Sequence, residues 1–162
     1  MIYISQYASA LGMLTLASDG QALCGLWFED QKYFGEGAPQ PWATEEVPVL
    51  RETKKWLDLY FSGQEPGALP PLRPAGTPFR QAVWALLLRI PYGTTLTYGQ
   101  IAKQLGCRSA QAVGNAVGHN PISILIPCHR VLGRGHKLTG YAGGLHRKQA
   151  LLALEVSRKN GK

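Results

Sequence analysis

A proline-rich stretch near the middle of the chain limits what the sequence can fold into. Residues 63–78 read GQEPGALPPLRPAGTP, with five prolines and three glycines in sixteen positions. Proline has no backbone N–H and cannot continue a helix or a central strand, so regular structure must end on either side of this stretch. The stretch predicts a linker between two small domains, residues 1–75 and residues 76–162.

The two sides of the linker carry opposite charge. Residues 1–76 hold five basic and nine acidic side chains, a balance of −4. Residues 77–162 hold twelve basic side chains and one acid, Glu155, a balance of +11. Such an excess is typical of surfaces that meet phosphate, and it indicates a nucleic-acid partner for the second half. Charge alone leaves open a solvated basic surface with no such partner.

The first half predicts a small antiparallel sheet covered by one helix. The apolar runs IYIS, GMLTLAS and ALCGLWFE read as strands, and Asp19-Gly20 between the last two is a turn signal, so we expect a hairpin or a three-strand meander. The segment VPVLRETKKWLDLYF has the periodicity of an amphipathic helix. Cys24 is interpreted as a packed small hydrophobe, and nothing in this half indicates chemistry.

The second half predicts three helices in succession. Thr77-Pro78 is a helix start, and the apolar FRQAVWALLLRI follows it until Pro91-Tyr92-Gly93. Thr97 can cap YGQIAKQL, and after the short turn CRS, Ser109 can cap AQAVGNAVGH. Two short helices joined by a tight turn are the outline of a helix-turn-helix.

The second helix of that pair is built from small residues and contains neither arginine nor lysine. It therefore cannot make the bidentate arginine contacts that read guanine in the major groove. Small side chains allow a backbone to approach the minor groove closely, which predicts DNA binding without sequence preference. The alternative is that they allow close helix packing inside the protein.

A candidate reactive cysteine follows the helix pair. The apolar run ISILI is predicted as a strand that leads into Pro127-Cys128-His129-Arg130-Val131. Cys128 could be an inert buried thiol, but Pro127 fixes the backbone before it, and a glycine-rich loop at residues 140–144 comes soon after. The two basic residues that follow it directly, His129 and Arg130, can also favour the thiolate. On an extended chain, adjacent Cys and His side chains point to opposite sides, so we expect them to communicate through a bridging water.

These residues resemble the O6-alkylguanine-DNA alkyltransferase family. The resemblance rests on the sequence from Pro127 to Val131, on Asn120-Pro121 upstream, on Gly140-Tyr141-Ala142-Gly143-Gly144 downstream and on Glu155. It covers the C-terminal half, and TPFRQAVW extends it to the linker. It implies an α+β fold with a small ribonuclease-H-like antiparallel sheet and helix, joined to a winged-helix-like, mostly helical domain with a helix-turn-helix.

The resemblance also implies roles for individual residues. Cys128 would accept the alkyl group, His129 would take its proton through a water, Glu155 would hold the imidazole, and Tyr98 would donate a proton as guanine leaves. The substrate base would be bound by the carbonyls of Cys128 and Val131, by Tyr141 and by the N–H near Ala142, while Asn120 would tie the recognition helix to the active-site strand. The implied DNA-contacting residues are Tyr98, Arg108, Gln111 and Ala112.

Two features depart from the family pattern. Members usually carry an intercalating arginine in the recognition helix, and this position is Gln111 here. Either Gln111 or Arg108 from the preceding turn could fill the gap left by a flipped base, and the sequence does not decide between them. The zinc-binding cysteines and histidines of some members are also missing from the first half, so we expect no metal and no cofactor.

The reaction expected from the resemblance is single-turnover repair of O6-alkylguanine, and two other classes of function stand beside it. One alternative is a non-enzymatic module that senses alkylated DNA, and another is a thiol hydrolase, against which the charge division argues. The sequence contains no run of eighteen apolar residues and no basic leader, so we expect a cytoplasmic monomer whose partner is double-stranded DNA and not a membrane.

Overall fold

The computed structural model describes residues 1–64 and 66–160, without the side chains of residues 158–160. Contacts within the chain divide it into two compact units. The first contains residues 1–75 together with the short segment Pro121–Ser123, and the second contains residues 76–120 and the chain from Ile124 onward. Among the described residues, no helix is both long enough and apolar enough to cross a membrane.

The first unit is a four-stranded sheet with one helix. Its strands stand in the order β3-β2-β1-β4, where β1 to β3 form the expected antiparallel meander. The short fourth strand pairs parallel to β1 and had no clear sequence signal, so the sheet is not purely antiparallel. The elements are β1 (Ile2–Ser9), β2 (Gly12–Ser18), β3 (Leu23–Phe28), β4 (Trp42–Thr44) and α1 (Pro48–Phe61).

Local signals account for most of this unit. Asp19 Oδ1 accepts hydrogen bonds from the N–H groups of Gln21 and Ala22 at 2.9 and 3.0 Å, which fixes the turn between β2 and β3. The apolar face of α1 is buried, including Leu50 and Leu57. Cys24 is buried as a packed hydrophobe, as expected.

The segment Pro121–Ser123 completes the first unit although it lies far along the chain. The Leu26 N–H donates to the Pro121 carbonyl at 2.8 Å, and the Ser123 N–H donates to the Leu26 carbonyl at 2.9 Å. The Ser123 hydroxyl also donates to Gln31 Oε1 at 3.0 Å. These bonds satisfy backbone groups of β3 that its sheet neighbour β2 does not reach.

The second unit is mostly helical. It contains the expected helix pair and also a two-residue parallel pairing of β5 with β6 that the sequence did not indicate. Two 3-10 turns, Cys128–Arg130 and Arg134–His136, flank β6. The elements are α2 (Pro78–Leu87), β5 (Leu96–Thr97), α3 (Tyr98–Gln104), α4 (Ala110–Gly118), β6 (Val131–Leu132) and α5 (Leu145–Asn160).

The three predicted helix starts are confirmed by their caps. The Thr77 side chain accepts from the Arg80 N–H at 3.2 Å, and the Ser109 hydroxyl accepts from the Ala112 N–H at 3.0 Å. Thr97 forms a reciprocal capping box with Gln100, at 3.1 and 2.8 Å. Helix α2 ends at Leu87, earlier than Pro91-Tyr92-Gly93 suggested, because the chain turns there.

The prediction of a strand at ISILI is wrong. Residues 122–126 are buried, but Ile122 makes only an isolated parallel bridge with Leu26, and residues 123–125 form a turn in which Ile124 adopts a positive φ of 72°, outside the extended region of a strand. The Asn120 side chain donates to the Ile126 carbonyl at 2.7 Å and holds this path. Cys128 and His129 lie in a 3-10 turn and not on extended chain. The expectation that they stand on a strand with side chains on opposite sides is therefore also wrong. A continuous apolar run indicates burial, but it does not distinguish a strand from a buried turn.

Candidate active site

Cys128 is a buried thiol at the start of a 3-10 turn, with only 4% of its surface exposed. Its N–H donates to the Ile126 carbonyl at 2.7 Å, which fixes the backbone under the sulfur. Burial raises the pKa of the Cys128 thiol to about 11 because it disfavours the thiolate. A hydrogen bond from Asn120 and the positive charge of Lys148 act in the opposite direction. The site must therefore assist ionisation if this sulfur is to react.

His129 and Arg130 both bind Glu155, the single acid of residues 77–162. His129 Nε2 lies 2.7 Å from Glu155 Oε2. Arg130 forms a two-pronged pair with the same carboxylate, from Nε to Oε1 at 2.8 Å and from Nη2 to Oε2 at 3.0 Å. The backbone N–H of Gly93 adds a bond to Oε1 at 3.1 Å. The carboxylate is thus fixed on several sides, and it fixes the imidazole in turn.

The protonation of this cluster follows from its bonds. Burial alone would raise the pKa of Glu155, but the bonds and charges of His129 and Arg130 outweigh it and lower that pKa below the usual range, so the carboxylate is ionised. Burial lowers the pKa of His129, more than Glu155 raises it, so the imidazole is neutral. An ionised carboxylate only accepts, hence Nε2 carries the hydrogen and Nδ1 is the basic nitrogen. His129 Nδ1 is buried and has no hydrogen-bond partner in the part of the chain that the structure describes.

Tyr98 stands at the first position of α3, directly after the Thr97 cap. Its ring lies 5.9 Å from the Lys148 ammonium. Burial raises the pKa of Tyr98, a hydrogen bond with Thr139 lowers it, and Cys128 raises it again. The phenol is therefore protonated at neutral pH, and Cys128 is one of the groups that influence its pKa.

The glycine-rich loop predicted to bind the substrate base lies between the second 3-10 turn and α5. The Tyr141 carbonyl accepts from the Gly144 N–H at 2.9 Å, so the loop closes as a tight turn, and Ala142 is half-buried within it. Val131 is fully buried, and its N–H donates to the Cys128 carbonyl. That carbonyl is already engaged, and its second lone pair is what remains for a ligand.

The exposed face of α4 borders two cavities. One, of about 550 Å³, is lined by the start of α3 including Tyr98, by α4 and by Arg134-Gly135. The other, of about 460 Å³, is lined by α4 and by the start of α2. Gln111 borders both and Ala112 borders the second, whereas Arg108 borders neither. Of the small residues of α4, Ala116 is buried and Ala112 is exposed, so the small residues serve helix packing on one face and leave the other open.

Sequence reasoning missed two residues of the site. Arg130 was expected to favour the thiolate, but its guanidinium pairs with Glu155. Lys148 had no predicted role, yet it is the cation that acts on Cys128. The sequence did contain one signal for these contacts: Glu155 is the single acid among twelve basic residues of this half, so more than one basic side chain has to share it. Among the described residues, no group of three or more His, Cys, Asp or Glu side chains could hold a metal ion.

A buried thiol directly before a histidine held by a carboxylate, in a domain that also carries a helix-turn-helix, fits the class of cysteine-dependent enzymes that act on DNA. Sequence comparison gives the family. The DNA-binding domain of 6-O-methylguanine DNA methyltransferase matches residues 78–157, and the ribonuclease-like domain of the same family matches residues 2–69. The chain belongs to the 6-O-methylguanine DNA methyltransferase family, whose enzymes move a methyl group from DNA to a protein cysteine.

Individual relatives agree with this assignment. The methylated-DNA–protein-cysteine methyltransferase of Mycobacterium bovis is 46% identical, over 98% of this chain and 94% of its own length. That of Haemophilus influenzae is 43% identical, over 95% of this chain and 86% of its own length. A crystal structure of Mycobacterium tuberculosis OGT in complex with DNA superposes with a TM-score of 0.86 at 44% identity, covering 96% of this chain and 94% of that one.

Proposed function

We propose that this protein repairs O6-alkylguanine in double-stranded DNA by moving the alkyl group to Cys128, once per molecule. The observation that carries the proposal is the open Nδ1 atom of His129, whose other ring nitrogen lies 2.7 Å from Glu155. A neutral imidazole held in this way is a base with one free acceptor, next in the chain to the buried thiol. This is what a water-mediated removal of the thiol proton requires.

The reaction proceeds as a displacement at a saturated carbon. The thiol proton passes through a water to His129 Nδ1, and Glu155 stabilises the resulting imidazolium. The sulfur then forms a bond to the alkyl carbon while the bond from that carbon to O6 breaks. The electron pair leaves with the purine, which takes a proton from Tyr98. The product is a thioether, which water does not hydrolyse, so Cys128 is not regenerated.

Access to the buried thiol requires the target nucleotide to leave the helix. A stacked base cannot present O6 to a sulfur that is 4% exposed, so the base is flipped at a cost of a few kcal/mol. The carbonyls of Cys128 and Val131, the Tyr141 side chain and the N–H near Ala142 frame it, and Asn120 holds the turn that carries Cys128.

The DNA surface is the exposed face of α4 with the start of α3, which brings Tyr98, Gln111 and Ala112 to the duplex. Gln111 is the better candidate than Arg108 for the gap left by the flipped base, because Gln111 borders both cavities beside α4. In this scheme residues 76–162 carry the reaction and residues 1–75 form the ribonuclease-like domain. The protein acts as a cytoplasmic monomer, and the same pocket also takes O4-alkylthymine.

The test is the stoichiometry of methyl transfer. Duplex DNA with O6-methylguanine labelled at the methyl group should deliver about one label per protein molecule and then stop, and mass spectrometry should find the added group on Cys128. Cys128→Ser should bind the duplex and accept no label. Cys24→Ser and Cys107→Ser are the matched controls and should transfer normally. Continued release of methanol, or label on Cys24 or Cys107, would exclude this mechanism.

A further inference from the structure

One exposed cation borders the cavity beside Tyr98, and the reaction scheme above does not use it. This cavity, of about 550 Å³, is lined by the start of α3, by α4 and by the turn that begins at Arg134. Among the described residues that line it, Arg134 is the single charged side chain. Helix α4 contains neither arginine nor lysine and cannot supply a second cation. An anion that enters this cavity therefore meets Arg134.

The backbone holds Arg134 at the rim of the cavity. Strands β5 and β6 pair in parallel, so the residues that follow them, Tyr98 and Gly133-Arg134, leave the pair side by side. The turn after β6 is closed by a bond from the Gly133 N–H to the Lys137 carbonyl at 2.8 Å. Gly135 provides the positive φ of 69° that this turn needs. The position of Arg134 is thus set by the fold and not by contacts of its own side chain.

The charge of Arg134 is available to a ligand. Its side chain is exposed and makes no hydrogen bond or ion pair with residues 1–64 and 66–157. Glu155, the one acid of the basic half, is buried between His129 and Arg130 and does not neutralise it. A guanidinium matches two oxygens of a phosphate with two parallel N–H groups, so a phosphate is the anion that suits this position.

We propose that Arg134 binds a phosphate next to the flipped nucleotide and so holds that nucleotide outside the duplex. This inference rests on the proposed function. A base that leaves the stack rotates about its own backbone, so its phosphates turn with it. In the proposed reaction the flipped base reaches Tyr98, which borders the same cavity as Arg134. The guanidinium donates to the phosphate and takes no part in the bond changes at sulfur.

The contact is tested by removing either of its two charges. Arg134→Gln removes the cation, and a methylphosphonate linkage directly 5′ or 3′ to O6-methylguanine removes the charge of one phosphate. The measurement is the rate constant of methyl transfer from the duplex below saturation. Arg134→Gln, and one of the two linkages, should each slow transfer roughly tenfold, the usual weight of a bond between charged groups. Together they should slow it no further than either alone, because both delete the same contact.

Lys137→Gln is the matched control, because Lys137 is an exposed cation of the same turn that does not border the cavity. It removes the same charge and should slow transfer less than about twofold, since salt screens distant exposed charges. The slope of log rate against log salt should become shallower by about 0.9 in Arg134→Gln and stay unchanged in Arg134→Lys, which keeps the charge. Free O6-methylguanine has no phosphate and should react equally with every variant.

The outcomes divide clearly. Additive effects of Arg134→Gln with both linkages, or an equal loss in Lys137→Gln, would overturn the phosphate contact. A slower reaction of Arg134→Gln with free O6-methylguanine would mean that residue 134 acts on the site itself, which also overturns it. If the wild type takes no methyl from DNA, the proposed function fails. The affinities of the wild type and Arg134→Gln for the same duplexes then decide the role of Arg134 by the same comparison.

Discussion

Replacing Glu155 with glutamine tests the central cluster of the site in one step. The substitution keeps the shape of the side chain but removes the negative charge that faces Arg130 at 2.8 and 3.0 Å and His129 at 2.7 Å. Two opposite charges about 4 Å apart interact by about 4 kcal/mol at an effective dielectric constant of 20. Removing one partner of a buried pair destabilises proteins by about 3–5 kcal/mol. The Coulomb energy and this comparison therefore both predict that Glu155→Gln lowers the free energy of unfolding by about 4 kcal/mol.

The measurement is thermal unfolding of the whole chain by calorimetry. For a chain of this size 1 kcal/mol corresponds to about 2–4 °C, so the midpoint should fall by roughly 8–16 °C. Glu46→Gln is the matched control, because Glu46 forms a bond of the same kind with Lys54 at 2.8 Å while its side chain is 41% exposed. An exposed pair is worth less than about 1 kcal/mol, so this control should shift the midpoint little.

A double-mutant cycle isolates the pair. Arg130→Met alone should also destabilise, but adding Glu155→Gln to it should cost much less than Glu155→Gln costs in the wild type, since the charge left unpaired by the single change is gone. Equal shifts for Glu155→Gln and Glu46→Gln, or additive effects in the cycle, would refute the view that the buried carboxylate holds this cluster together.

The pH dependence of stability follows from the same carboxylate. Its pKa is lowered in the folded protein, because the bonds of His129 and Arg130 outweigh burial, whereas in the unfolded chain it is near 4.3, as for any glutamate. The stabilisation is therefore complete above about pH 5 and is lost as the pH falls through and below about 4. In Glu155→Gln this acid-dependent loss should be smaller, and an identical acid limb in the two proteins would contradict the assigned charge state.

Three further results are expected. Gln111→Arg should speed methyl transfer from duplex DNA roughly three- to tenfold, because it adds a cation that can stack in the groove, and it should leave transfer from free O6-methylguanine unchanged; equal acceleration on both would mean that residue 111 acts on the thiol. Binding of unmodified duplexes should weaken steeply with salt and hardly vary with sequence, and a marked sequence preference in competition assays would mean that α4 was misinterpreted. Ser109→Ala should cost about 1 kcal/mol of stability because α4 loses its cap, and the thermal midpoint should fall by about 2–4 °C. An unchanged midpoint would mean that the cap does not stabilise the protein.

The sequence predicted the features that depend on near neighbours. The helix starts at Thr97 and Ser109 and the turn at Asp19 each depend on bonds within three residues, so their signals are visible in the sequence. The turn that presents Cys128 depends instead on the Asn120 side chain six residues from Ile126 and on a positive φ at Ile124, which no local pattern indicates. The short β4 and the β5–β6 pair were missed for the same reason.

The active site also combines features that the sequence predicted with features that depend on residues distant in the chain. Cys128, His129 and Glu155 were identified through a resemblance, and the structure brings His129 and Glu155 into contact. The contacts of Arg130 and Lys148 could not be predicted from sequence spacing. Arg130 pairs with Glu155 and Lys148 acts on Cys128, and in each case the partner is many residues away along the chain. Composition contained one usable hint, the single acid in a half with twelve basic residues.

The bonds between β3 and the segment Pro121–Ser123 have a consequence for any attempt to divide this protein. Strand β3 is an outer strand of its sheet, and Leu26 there exchanges backbone bonds with residues that follow α4. A fragment ending at the proline-rich linker would lack those residues and would leave an unpaired strand edge, which is a template for self-association. We expect such a fragment to aggregate. The first domain is therefore not a contiguous piece of the gene, and its boundary is a property of the folded chain that no single cut can reproduce.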